Sequence, residues 1–131
     1  MHIGLADFAE RTLLILGDAT SMRLLAGCIE ARESLDLSTL PFVESVNVCV
    51  LMKPTGDNSS LDQKDTLFEW RISPLDSHQF AEQLRALAAS DMPAHAYLDC
   101  KTSGEAVQVM ASKGEYEAGD VLGPTAGRST T

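Results

Sequence analysis

Val46, Val48, Val50 and Met52 alternate with Asn47, Cys49 and Leu51 along residues 45 to 52, SVNVCVLM. A period of two in a β-branched stretch predicts a strand with unlike faces, because successive side chains leave a pleated chain on opposite sides. Residues 66 to 73, TLFEWRIS, repeat the pattern, with Phe68, Trp70 and Ile72 on one side and Leu67, Glu69 and Arg71 on the other. The apolar run TLLILG, residues 12 to 17, predicts a buried strand that ends at Gly17 and Asp18. Residues 94 to 100 and 106 to 111 alternate again around KTSGE, where Gly104 offers the turn of a hairpin.

Two segments change period. Beyond Asp18, Met22, Leu25 and Ile29, with Leu24 and Cys28, fall at helical spacing, and Thr20 or Ser21 can accept from the free amides at the start. A longer helix from Leu5 would align Leu5, Phe8, Leu13 and Leu16, but Gly17 and the polar cluster after it interrupt that stripe. Phe80, Leu84, Leu87 and Ala88 define a second helix ending near Ser90, with Asp76 and Gln79 at capping-box spacing. LDLSTLP is a connector, since Pro41 disfavours regular structure just before it. KPTGDNSSLDQKD, residues 53 to 65, is polar, contains Pro54 and Gly56, and reads as a long hairpin loop.

From Gly114 onward the periodicity is lost among small and polar residues, so a single domain over 1–113 and a flexible tail over 114–131 are expected. The order strand, helix, strand, strand, helix, strand, strand (βαββαββ) predicts an α+β fold. It would be a mainly antiparallel sheet of about five strands with two helices on one face, like a split βαβ unit with an extra strand. The two halves share a plan, but their side chains do not match closely enough to establish a repeat.

Composition narrows the function classes. A chain of 131 residues suits one domain whose core needs no covalent staple. Lys and Arg total 10 against 19 Asp and Glu, a net charge of -9, which argues against a nucleic-acid partner because phosphate contacts need a cationic footprint. The same charge can steer a basic partner by long-range attraction, and equally serves solubility alone. Cys28, Cys49 and Cys100 are odd in number and lack CxxC spacing, so they predict neither a disulfide framework nor a zinc site but free thiols of a reducing compartment. MHIGLADFAE has no basic start or long apolar run, and no apolar stretch approaches a membrane span. A cytoplasmic location without a membrane partner is expected.

HAYLDC, residues 95 to 100, gathers histidine, aspartate and cysteine. On a strand, His95 and Cys100 leave opposite faces about 17 Å apart at roughly 3.3 Å per residue, which rules out a local dyad. His95 and Asp99 share a face but lie too far apart to hold one metal. Cys49 approaching His95 across neighbouring strands is the one thiol–imidazole pairing this layout allows. GxSxG, GxGxxG and GxxxxGK[ST] are all missing. GDNSSLD lacks the order of a calcium loop, Glu30, Glu33, Glu115 and Glu117 read as solvated charge, His78 as exposed, and His2 as part of a frayed terminus. No metal, cofactor or catalytic residue is assigned.

Placing Val46, Val48, Val50, Phe68, Trp70, Ile72, Leu98, Val107 and Val109 in the core forces Asn47, Cys49, Leu51, Leu67, Glu69, Arg71, His95, Tyr97, Asp99, Gln108 and Met110 to the other side. Leu51, Arg71, His95, Tyr97 and Met110 on this open face form the expected contact patch, with the mixed composition of a protein interface. The expected function is a small acidic, non-catalytic module that binds another protein or a second copy of itself. One version is an acidic inhibitor of a cationic enzyme, in the manner of a toxin-immunity protein. The alternative is a small-molecule enzyme or ligand-binding protein with a pocket between sheet and helices, using Cys49, His95 or Asp99. A third is a structural subunit whose open face is covered by a second copy.

Overall fold

Strand β1 (His2–Asp7) lies antiparallel to β2 (Arg11–Leu16), pairing Ile3 with Ile15 and Leu5 with Leu13. The computed structural model describes residues 1–7, 11–99, 101–102, 107–116 and 118–122. Helix α1 (Ala19–Ala31) follows β2 and starts at Asp18, whose carboxylate accepts from the Ser21 amide at 2.8 Å while the Ser21 hydroxyl accepts from the Asp18 amide at 3.0 Å. This reciprocal box satisfies two of the amides a helix leaves free at its start. It also explains Gly17, where a Cβ would come within 2.4 Å of Ser21 Oγ. The short strands β3 (Leu35–Asp36) and β4 (Glu44–Ser45) flank a 3-10 turn, Leu37–Thr39, before β5 (Cys49–Pro54).

The second half follows the same plan: β6 (Ser60–Lys64), β7 (Leu67–Ile72), helix α2 (Pro74–Ala89), β8 (Ala94–Tyr97), β9 (Lys101–Thr102) and β10 (Gln108–Lys113). Ser73 caps α2 by accepting from the Asp76 amide at 3.1 Å, and Pro74 occupies the first turn, where a missing N–H costs nothing. A one-turn helix, α3 (Ala118–Val121), comes last among the described residues.

The strands form two mixed sheets, ordered β4-β1-β2-β10-β8 and β3-β5-β7-β6-β9. Matching β1 to β6, β2 to β7, β3 to β8, β4 to β9 and β5 to β10 turns the first order into the second read backwards. Strand directions match too: β1–β2 and β6–β7 are antiparallel, β2–β10 and β7–β5 parallel, β1–β4 and β6–β9 parallel, β8–β10 and β3–β5 antiparallel. Even the register agrees, since Ile3 lies between Ile15 and Ser45 as Leu61 lies between Trp70 and Thr102. The chain is therefore an internal duplication of topology in which each half lends its third and last strands, β3 and β5 or β8 and β10, to the other's sheet. The repeat escapes side-chain comparison because what the halves share is the direction each residue faces, not its identity.

Both helices pack against one another and share one core with the inner faces of both sheets. Leu13, Ile15 and Val109 come from the first sheet, Val50, Phe68 and Trp70 from the second, and Met22, Leu25, Leu84 and Ala88 from the helices. Full burial of each large aliphatic side chain stabilises by about 1.5–3 kcal/mol. The outer faces differ. On the first sheet Ala6, Leu14, Leu16 and Met110 form a second apolar cluster with Leu122 of the C-terminal segment. On the second sheet the counterparts of Leu14 and Leu16 are Glu69 and Arg71, and the outer face carries a charge ladder: Lys53 to Glu69 at 2.8 Å, Arg71 to Glu69 at 3.1 Å and to Asp62 at 3.3 Å.

Several expectations need correction. The α+β class holds, but there are two mixed sheets rather than one mainly antiparallel sheet, and the helices lie within one core shared by both. The stretch 45–52 is two strands in different sheets, because Asn47 leaves the pleat and bonds Leu5 through both its oxygen, at 2.8 Å, and its nitrogen, at 3.2 Å. The presumed loop 53–65 contains β6, whose Leu61 is buried. His2 belongs to β1 and meets Glu44 at 2.6 Å. The caps are Asp18 and Ser73, not Thr20 or Asp76. Within the expected tail, Leu122 is buried and α3 forms; Cys100, Gly104 and residues 123–131 lie outside the described residues.

Candidate interaction surface

The five residues of the expected patch separate. Leu51 and Arg71 stand on the outer face of the second sheet, whereas His95, Tyr97 and Met110 stand on the outer face of the first. Met110, directly opposite Tyr97, is only 4% exposed because Leu122 packs over its cluster. His95 and Tyr97 remain exposed at the sheet's edge, with Tyr97 45% accessible. Their rings meet edge to face at 5.4 Å. Met92 and Tyr116 are exposed as well. Cys49 and His95 are in different sheets, so the only thiol–imidazole pairing the layout allowed is not formed.

Gly114, with φ of +78°, turns the chain after β10 and brings Glu115 back over the sheet. Its carboxylate accepts from the buried Ser112 hydroxyl at 2.7 Å, and both its oxygens lie 3.0 Å from His95 Nδ1. Burial pushes this carboxyl up, but the bonds from His95 and Ser112 and the charge of His95 together hold it below the usual carboxylate range. The three side chains resemble a hydrolytic triad in composition and differ in order. Here the carboxylate sits between hydroxyl and imidazole, so the imidazole is not placed to take the serine's proton. The arrangement ties the C-terminal segment down and orients His95. Reading Glu115 as plain solvated charge missed this; the Gly-Glu pair just after a strand was the available signal.

Cys49 Sγ lies 3.8 Å from both carboxylate oxygens of Asp36. Burial raises the Cys49 thiol, and the charge and hydrogen bond of Asp36 raise it further, against a smaller opposite effect from Ser38; burial also raises Cys28. Neither is an activated nucleophile. The Asp99 carboxylate accepts from the Val109 amide at 2.8 Å, filling a rung beside the end of the β8–β10 ladder. Among the described residues no group of three His, Cys, Asp or Glu side chains could hold a metal ion, and no helix is long and apolar enough to cross a membrane.

Two hollows adjoin this region. One of about 690 Å3 lies at the ends of β2 and β10 and the start of α1, lined by Leu16, Asp18, Ser112, Lys113 and Tyr116. The helix start there is already occupied by Asp18, and Lys113 donates to the Ser90 carbonyl, so neither charge faces an unmet need. The other, about 290 Å3, is a trough between α2 and β8 lined by Gln83, Ala86, Leu87, Ser90, Ala94, His95 and Ala96. Compared with protein-family models, curated proteins and solved structures, the chain matches none of them.

Proposed function

We propose that the protein is a non-catalytic, protein-binding module of the cytoplasm whose contact surface centres on His95 and Tyr97. The observation that carries this reading is the contrast on one sheet face: Leu14, Leu16 and Met110 are sealed under Leu122, while Tyr97 beside them stays 45% exposed. Exposed tyrosine and methionine around a buried frame is the composition that anchors interfaces. A charge of -9 favours a cationic partner, and neutralisation of a basic enzyme by an acidic inhibitor fits that charge. Leu51 and Arg71, on the other outer face, form a second region that the same partner or a second copy can reach.

Capture from the native cell with the wild-type chain, beside His95→Ala/Tyr97→Ala and Leu51→Ala/Arg71→Ala, tests the reading. A cationic partner retained by the wild type and lost by the first pair supports it. Equal retention by all three, or a fast-reacting thiol at neutral pH, contradicts it.

A further inference from the structure

The edge of β8 has main-chain groups aimed away from its own sheet. The Leu98 amide donates to the Val109 carbonyl at 2.9 Å, and the register sets Ala96 opposite Ala111 and Ala94 opposite Lys113. In an antiparallel ladder bonded and non-bonded pairs alternate, so Ala94 and Ala96 spend their N–H and C=O groups on β10, as Leu98 spends its N–H, while the Val109 amide donates to the Asp99 carboxylate instead of the Leu98 carbonyl. The groups of His95 and Tyr97 therefore point outward, over the trough beside α2. Gln83 Nε2 already donates to the Tyr97 carbonyl at 3.0 Å, standing in for one rung of an absent strand. That leaves the two amides and the His95 carbonyl for a partner among the described residues.

The duplicated topology supplies the control. The counterpart of β8 is β3, which runs for only two residues before the Asp36 side chain turns the chain into the 3-10 segment by accepting from the Ser38 amide at 2.9 Å. That edge is blunted in the way sheets usually guard against pairing; β8 is twice as long, and its side facing the trough carries the small residues Ala94 and Ala96.

We infer that β8 is a strand-addition site that takes an extended, basic peptide segment of the partner, aligned along His95 and Tyr97 in the trough against α2. Charge selects the occupant. Asp91 and Asp99, both exposed, stand at the two ends of β8, and Glu115 lies on its outer face. A second copy would bring the same acids and a further charge of -9 to this edge. In an added strand, residues opposite His95 and Tyr97 share their face, so basic side chains there meet Glu115 and the Tyr97 ring. The alternate residues enter the trough and must be small and apolar.

This inference rests on the protein-binding reading and names its mode. The probe is a short blocked peptide of alternating lysine and valine, titrated against the full chain and followed by amide resonances. Binding should perturb His95, Tyr97 and Ala96, weaken with salt, and fail for the glutamate–valine peptide. N-methylation of the lysine amides, which face His95 and Tyr97, should weaken binding about tenfold or more, while methylation of the valine amides should have little effect. No binding by the lysine–valine peptide overturns strand addition. So does equal binding by both methylated forms; if Tyr97→Ala then abolishes that binding, side-chain capture survives and only the strand-addition mode falls.

Discussion

Gly4 and Leu122 approach so closely that a Cβ on the glycine would lie 2.9 Å from Leu122 Cδ2, and equally close to Asn47 Oδ1. The first sheet is thus built to be covered on its outer face by its own C-terminal segment. Leu122→Ala should destabilise the fold by about 2–3 kcal/mol through lost burial and the cavity left behind. Gly4→Val should lift the segment and raise binding of a dye specific for exposed apolar surface. Denaturant unfolding with dye titration checks both; unchanged dye binding in Gly4→Val would mean the segment does not seal that face.

The exchange of β5 and β10 between halves makes each half incomplete. Residues 1–57 or 58–131 alone should lack a cooperative unfolding transition, because β2 loses β10 in one fragment and β7 loses β5 in the other. Mixed, they should restore it in a one-to-one complex. Circular dichroism and sedimentation of each fragment and the mixture decide the matter; two independently folded halves would rule out the interlocked topology.

Individual elements were legible in the sequence wherever one face was plainly apolar. Phe68, Trp70 and Ile72 are buried as their alternation requires, and Met22, Leu25 and Ile29 form the buried stripe of α1. What failed was pairing. Alternation at Val46 and Val50 cannot reveal that Ser45 follows Ile3 while Cys49 follows Leu67, since adjacent strands in a sheet are chosen by contacts far apart in sequence. β6 was hidden because its polar residues Ser60, Asp62 and Gln63 surround one buried Leu61. For the candidate surface, parity rightly set His95, Tyr97 and Met110 on one face but could not show that Leu122 covers Met110 or that Leu51 and Arg71 belong to another sheet.

Acid should weaken the fold in a predictable direction. Glu115 titrates below its ordinary range when folded, held there by His95 and Ser112 against the opposing effect of burial, and Asp18 does so through its bonds to Ser21. A lowered folded value means that the stabilisation is present above the unfolded carboxylate pKa of about 4 and disappears as pH falls through the folded value. Glu115→Gln should therefore flatten the acid limb of the stability curve below about pH 4 while lowering stability at neutral pH. A parallel downward shift at every pH would show that Glu115 contributes no titrating stabilisation.

Arg32 pins three elements together. At the end of α1, with φ of 53°, its guanidinium donates to the Ile72 carbonyl at 3.1 Å, the Ser77 hydroxyl at 2.7 Å and the Thr55 carbonyl at 3.0 Å. Arg32→Ala loses all three and keeps the left-handed backbone, so it should cost about 2 kcal/mol or more. Arg32→Gly relieves the backbone and should be less damaging by a few tenths to about 1 kcal/mol. Thermal unfolding of both variants tests the order; equal stability of wild type and alanine variant would show that the three bonds contribute nothing net.

The most direct measurement of whether β8 offers a free edge is residue-resolved amide exchange in the intact chain. Ala96 and Leu98 should exchange slowly, protected by β10, while the His95 and Tyr97 amides, which alternate with them, exchange quickly. Slow exchange at all four would mean that the edge is already paired and would contradict the proposed contact surface.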